Sequence, residues 1–309
     1  MIKVYMKTIV IKVILGLCFT FVSFSIRAQG CSDAGFCTVS SFKPNGIETE
    51  KTLKNQFKIG MNYGGADNSI FVLGNYLEYN RKISDKLGID LKLSSLLQNG
   101  NDISAFGFSD IYVNGNYKIN THSGITLGVK IPLTDGNALQ EGLPLPMDYQ
   151  SSLGTFDLLI GFAQEIKKLQ LVLALQQPLT QNKNAFLASQ YPIDSPLRNI
   201  QSTNNFNRGR DALLRLSYPI DLSEKLKFTP SLLSIYHLKE DKFTNLNDIE
   251  EIIVGSQGLT LNINAYLDYN LTQKSVLQLS FASPVLARDA RPDGLTRSFV
   301  LNLEYSYSF

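Results

Sequence analysis

Two histidines and three cysteines are all that this 309-residue chain offers for imidazole or thiolate chemistry. His122 stands beside Ser123, and His237 follows Ser234 by three residues. A serine nucleophile needs a histidine within hydrogen-bond reach and a third group to orient it. Neither local sequence supplies that set, so no catalytic residue is expected. Glu240, Asp241, Asp248, Glu250 and Glu251 gather acid in one stretch but lack the alternating Asp spacing of a calcium loop. No metal or cofactor is expected. Cys31 and Cys37, in an exported chain, most simply form a disulfide. A metal or thiol-exchange pair, or a lipid-bearing Cys31, are the alternatives. The stretch Ala28-Gln29-Gly30 before Cys31 lacks the usual leucine of a lipidation signal.

The remaining chemistry is charge placed at every second position. Lys58, Glu78, Asp90, Lys92, Asp110, Lys118, Lys130, Asp157, Glu165, Arg215, Lys227, Asp268 and Glu304 fall on the polar side of alternating stretches. Six are basic and seven acidic, a balance that argues against a strongly charge-selective pore. Such groups either pair into a ladder that stiffens a wall or line a polar track for a small solute.

The elements that carry them alternate with a period of two. In 298–309, Phe299, Leu301, Leu303, Tyr305, Tyr307 and Phe309 share one face, and Ser298, Val300, Asn302, Glu304, Ser306 and Ser308 share the other. The same two-sidedness recurs in 259–271, 124–134 and 169–177. A soluble sandwich also alternates. These stretches run about 10–13 residues, however, where soluble strands run five or six. The reading is all-β: a transmembrane antiparallel β-barrel of about 12 strands. They are expected near 54–63, 70–83, 86–97, 107–119, 124–134, 154–166, 168–178, 209–220, 224–238, 257–271, 273–286 and 297–309. Short turns alternate with the longer connections 64–69, 98–106, 135–153, 179–208, 239–256 and 287–296, as in outer-membrane barrels. An even count puts both termini on the short-turn side, the periplasm. Pro132, Pro178, Pro219, Pro230 and Pro284 demand bulges or strand ends.

Residues 1–28 read as a secretory signal. Lys3, Lys7 and Lys12 precede the apolar run 13–24, and Ala28 offers a cleavage site; the run is too short to span a membrane comfortably. The signal holds four basic residues and no acid, so the remainder has 25 basic against 27 acidic residues. Nothing there suggests nucleic acid. The expected organisation is signal 1–28, a periplasmic N-terminal segment 29–53 with Cys31 and Cys37, and an outer-membrane barrel 54–309.

Three motifs in the middle of the chain carry a family resemblance. Gly107-Phe-Ser-Asp110 starts a strand, Gly128-Val-Lys-Ile-Pro132 ends one, and Ser152-Leu-Gly154-Thr-Phe-Asp157 resumes after a long loop. Residues 107–178 resemble the outer-membrane transporter-like family associated with the phenol-degradation meta-pathway. The chain departs from the pattern after Pro132, where Leu133-Thr134-Asp135-Gly136 stands in place of Thr-Gly. The resemblance implies an envelope barrel and uptake of small, apolar or aromatic molecules, and it carries over no catalytic residue.

The functional expectation is therefore an outer-membrane channel for small solutes, in contact with membrane lipid. The alternatives are a barrel whose segment 29–53 docks a periplasmic partner, and a lipid hydrolase at the outer rim. The connection 180–208 is long, and it holds Phe186, Tyr191 and Phe206 among Gln, Asn and Ser. Loops of that length are functional or disordered, and its apolar residues favour folding over the barrel mouth with Phe186 and Tyr191 as anchors.

Overall fold

The computed structural model describes residues 38–44, 53–294 and 298–309. The expected signal, 1–28, and Cys31 and Cys37 lie outside the described residues. The barrel strands are β1 Asn55–Gly65, β2 Phe71–Lys82, β3 Leu87–Gly100, β4 Ile103–Lys118, β5 Ser123–Pro132 and β6 Asp157–Ile166. They continue as β7 Leu169–Pro178, β8 Asp211–Ser217, β9 Leu226–His237, β10 Gly258–Asn270, β11 Ser275–Leu286 and β12 Phe299–Ser308. Each pairs antiparallel with its sequence neighbours, and β1 closes the ring on β12, from Gln56 opposite Ser308 to Gly65 opposite Phe299. The seam ends with Asn55 and Phe309 exchanging backbone hydrogen bonds of 3.0 and 2.8 Å. Closure leaves no unpaired edge, the condition for a sheet to sit in lipid.

Alternation fixes the two faces. Leu301, Leu303, Tyr305, Tyr307 and Phe309 are exposed, while Val300, Asn302, Glu304 and Ser306 are buried inside. The same outward apolar belt runs along Ile59, Met61, Leu77, Leu91, Leu127, Ile160, Leu173 and Ile263. Aromatic rings flank it: Tyr63 packs near Phe71 and Phe299 at one end, and Tyr307 stacks with Phe309 at the other. A closed barrel with an apolar outer belt between aromatic girdles is an outer-membrane barrel. Replacing Leu303 by Arg puts a cation in that belt. It should cost about 2–4 kcal/mol of folding free energy if Leu303 sits at the bilayer midplane. Urea titration of folding into phospholipid vesicles measures this, and an unchanged midpoint would remove the assigned lipid face.

Four departures from the sequence reading have local causes. The stretch 98–106 is no long loop: β3 and β4 run on to a two-residue turn at Asn101-Asp102, both at positive φ (52° and 60°). Asn and Asp tolerate that conformation, and such turns match the twist of paired strands. Second, β8 stops at Ser217, and Ile220–Asp221 resumes pairing with β9. Pro219 causes the gap, and Pro230 lies across from it, so both missing N–H groups fall at one interruption. Third, a bulge sets Ser109 and Asp110 together against Ser94 and turns both inward. Fourth, residues 38–44, expected in the periplasm, lie inside the barrel. Pro284 sits beside a second bulge, between Leu261 and Asn262 of the partner strand.

Candidate functional site

The interior has two unlike walls. Tyr112 on β4, Leu159 on β6, Val172 and Ala174 on β7, Leu213 on β8 and Leu233 on β9 form a continuous apolar surface. Opposite it, β1–β3 and β10–β12 contribute Lys58, Glu78, Asp90, Lys92, Asn62, Asn264 and Glu304. Residues 38–44 fill the space between, around a single 3₁₀ turn at Ser40–Phe42. Their side chains sort accordingly. Val39 and Phe42 pack on the apolar wall. Gly161 lies directly under the Phe42 ring, where a Cβ would overlap it. Any larger residue at 161 would unseat the ring.

The polar side of this plug meets the charged wall. Ser41 Oγ lies 2.8 Å from Asp90 Oδ2 and 2.7 Å from Asn116 Oδ1. Lys58 Nζ donates to Ser40 Oγ at 2.6 Å and stands 3.6 Å from Glu304. Lys43 Nζ donates to Glu304 Oε2 at 3.0 Å, and the Tyr76 hydroxyl donates to the same carboxylate. Lys92 Nζ donates to both the carbonyl (3.2 Å) and the hydroxyl (2.9 Å) of Thr38, over the face of Tyr76. Lys43 adds a seventh base to the seven acids read from the strands. Among the described residues two cavities flank the plug. One, of about 70 Å³, is lined by Lys43, Lys92, Arg215, Tyr76 and Tyr266. The other, of about 410 Å³, opens at the short-turn end beside Lys118, Lys227 and Asp268.

Toward the long-loop end the three sequence motifs converge on one ion triad. Lys130 is fully buried, 3.0 Å from Asp157 and 3.9 Å from Asp110. The register sets Lys130 directly across from Asp157, and the bulge on β4 aims Asp110 at the same point. Ser152 Oγ donates to Asp110 at 2.7 Å, and Thr155 Oγ1 donates to Asp157 at 2.7 Å. Both come from the connection 133–156, which is thereby held in the mouth. Gln176 also donates to Asp157.

The mouth itself is covered. Phe186, Tyr191, Leu197 and Ile200 of the connection after β7 pack on Ile70, Val72, Leu96, Ile103, Leu145 and Tyr149. Tyr191 donates to the Pro144 carbonyl at 2.7 Å, and Arg198 donates to the Tyr191 carbonyl at 2.7 Å. Asn184 donates to the carbonyls of Gly136 and Leu145 (3.0 and 2.9 Å). The Asn and Gln richness of this loop thus satisfies backbone that β-pairing does not reach.

A third cluster joins three connections at the long-loop end. His237 Nδ1 lies 2.6 Å from Asp211 and Nε2 lies 2.7 Å from Asp241. A neutral imidazole has one N–H donor, so two carboxylate partners call for the imidazolium. Arg208 pairs with Asp211, and Arg288 pairs with Asp293. Burial works against the Asp293 charge, but Arg288 and Arg208 hold its carboxyl below the usual range. Three acids therefore face two arginines and one imidazolium. Ser234 points to the opposite face of β9 from His237, so the serine–histidine pair considered from sequence does not come together.

Of the thirteen charged residues singled out, Lys58, Glu78, Asp90, Lys92 and Glu304 gather at the plug, and Asp110, Lys130 and Asp157 gather at the mouth. Lys118, Lys227 and Asp268 border the lower cavity. Arg215 lines the small cavity beside the plug, its guanidinium donating to the Tyr266 hydroxyl. Glu165 is half-buried at the short-turn end of β6. Sequence reasoning missed Val39, Phe42 and Lys43, and it treated His237 as an ordinary rim histidine. The available signal for the plug was an apolar–polar sorting within Val39-Ser-Ser-Phe-Lys43.

No family model and no curated relative matches the sequence. Among solved structures, the KdgM porin aligns over 82% of this chain and 99% of its own, at 10% identity and a TM-score of 0.42. The NanC porin aligns over 82% and 98%, at 9% identity and 0.45. The CymD monoaromatic hydrocarbon channel aligns over 93% and 99%, at 9% identity and 0.45. At these values the likeness is one of general shape.

Proposed function

We propose that this chain is an outer-membrane channel for small aromatic solutes, with the short-turn end facing the periplasm and residues 38–44 as an internal plug. The observation that carries the reading is the seat of Phe42. A polar pore for hydrated solutes has no use for a wall of Tyr112, Leu159, Val172, Leu213 and Leu233, which is stable only when an apolar group covers it. Phe42 covers it here. A flat apolar solute would take the same place, and Lys43, Lys92 and Arg215 around the adjacent cavity suit a carboxylate on that solute. Aromatic acids fit both walls.

The test is binding rather than flux. Phe42→Ala removes the competing ring, and burial of a phenyl group contributes about 1.5–3 kcal/mol. Benzoate should therefore bind the detergent-solubilised variant about ten- to hundredfold more tightly than the unaltered chain. Equilibrium dialysis with radiolabelled benzoate measures this, with galacturonate as an equally charged polar control. Equal affinity for both solutes, or no gain from Phe42→Ala, would end the aromatic reading. Docking of a periplasmic partner by segment 29–53 is less favoured, since 38–44 are committed to the lumen.

A further inference from the structure

A second site lies outside the lumen, at the long-loop end of β7, β8 and β9. A cavity of about 260 Å³ opens there between Gln177–Gln181, Asn207–Arg210 and the residues Lys239, Glu240 and Lys242. Four of its side chains are cationic: Arg208, Arg210, Lys239 and Lys242. Its one carboxylate, Glu240, is occupied elsewhere, accepting from Ser256 Oγ (2.7 Å) and from the backbone N–H groups of Gly255 and Gln257. Lys242 is paired with Glu250. Arg210 and Lys239 are exposed.

Arg208 is the informative member. Its side chain is 5% exposed, and its other nitrogens face Asp211 and Asp293. Its Nε and Nη1, both shielded, have no hydrogen-bond partner among the described residues, and only Nε has a carboxylate near it, Asp293 at 3.5 Å. A buried guanidinium N–H without an acceptor is costly, and the fork geometry of Arg suits a second oxygen acceptor. The setting narrows what brings that acceptor. Arg210 immediately precedes β8 on its outward side, and exposed Leu179 follows β7. The cavity thus sits where the lipid belt of β7–β9 ends, the level of the headgroups of the adjoining leaflet.

We propose that this cavity binds a phosphate group, held by Arg208, Arg210 and Lys239, and that the phosphate is carried by a lipid of the outer leaflet. The choice of leaflet rests on the orientation proposed above, but the site lies off the solute path, so its failure would leave the channel reading untouched. The test uses the mature chain in uncharged detergent, with two probes: lipid A in mixed micelles and inorganic phosphate in solution. Arg210→Gln with Lys239→Gln removes two exposed charges without disturbing the buried cluster. Each basic residue near an anionic surface contributes enough that the double variant should bind lipid A about thirtyfold more weakly. Lys274→Gln, in an exposed turn at the opposite end, should bind as the unaltered chain does. Saturable lipid A binding that inorganic phosphate does not displace assigns the headgroup as the source. Displacement by millimolar phosphate keeps the site and assigns it to free phosphate. The proposal is overturned if neither probe binds, if the double variant binds equally well, or if Lys274→Gln loses as much affinity.

Discussion

Lys130→Met should destabilise the barrel by about 3–5 kcal/mol, the loss expected when one partner of a buried ion pair is removed. The ammonium has no exposed surface and holds Asp110 and Asp157, both also buried, so their two charges would remain without it. The effect belongs to the missing partner rather than to missing volume. Adding Asp110→Asn and Asp157→Asn to Lys130→Met should therefore recover most of the loss, because removing the whole set can be close to neutral. The chain has no Trp, so unfolding in guanidinium is best followed by far-UV circular dichroism. A single variant within 1 kcal/mol of the parent, or a triple variant no better than the single one, would show that the triad is not what fastens the mouth.

The second large effect concerns permeability. Two seals lie in series along the axis: Val39 and Phe42 on the apolar wall, and Phe186 with Tyr191 over the long-loop mouth. Removing either alone leaves the other. Deleting 38–44, or deleting 184–205, should each change planar-bilayer conductance little. The combined deletion should raise it by on the order of tenfold, toward what an unfilled barrel of this strand number admits. A full opening from the 38–44 deletion alone would show that the long connections do not seal. No opening from the combined deletion would count against a channel altogether.

The barrel was legible because lipid outside and polar groups inside impose a strict two-residue period, and a one-residue slip would reverse every face. Phe299 to Phe309 shows this most clearly. The hairpin at Asn101-Asp102 was misread because Gln98-Asn-Gly-Asn-Asp102 has loop composition, yet its residues are those a tight turn requires. The charged residues could be assigned to one face but not to one another. That Asp110, Lys130 and Asp157 meet depends on the registers of β4–β5 and β5–β6 and on the bulge at Ser109. His237 reaches Asp211 for a similar reason, as direct cross-strand partners. The plug was illegible because seven residues are too few to show a period, and their partners lie up to 261 positions away.

The seam between β1 and β12 also sets an order in time. Asn55 and Phe309 are bonded across 254 residues, so the ring cannot close before every other strand has taken its place. Until then β1 presents an open ladder on one side, a template for strands of any other chain. Contacts between such distant residues form late and slowly. Lys43 and Lys58 meet Glu304 across that same seam, so the plug contacts both the early strands and the last one. Closing the ring therefore also delivers Glu304 to the two lysines that tie the interior segment to the seam.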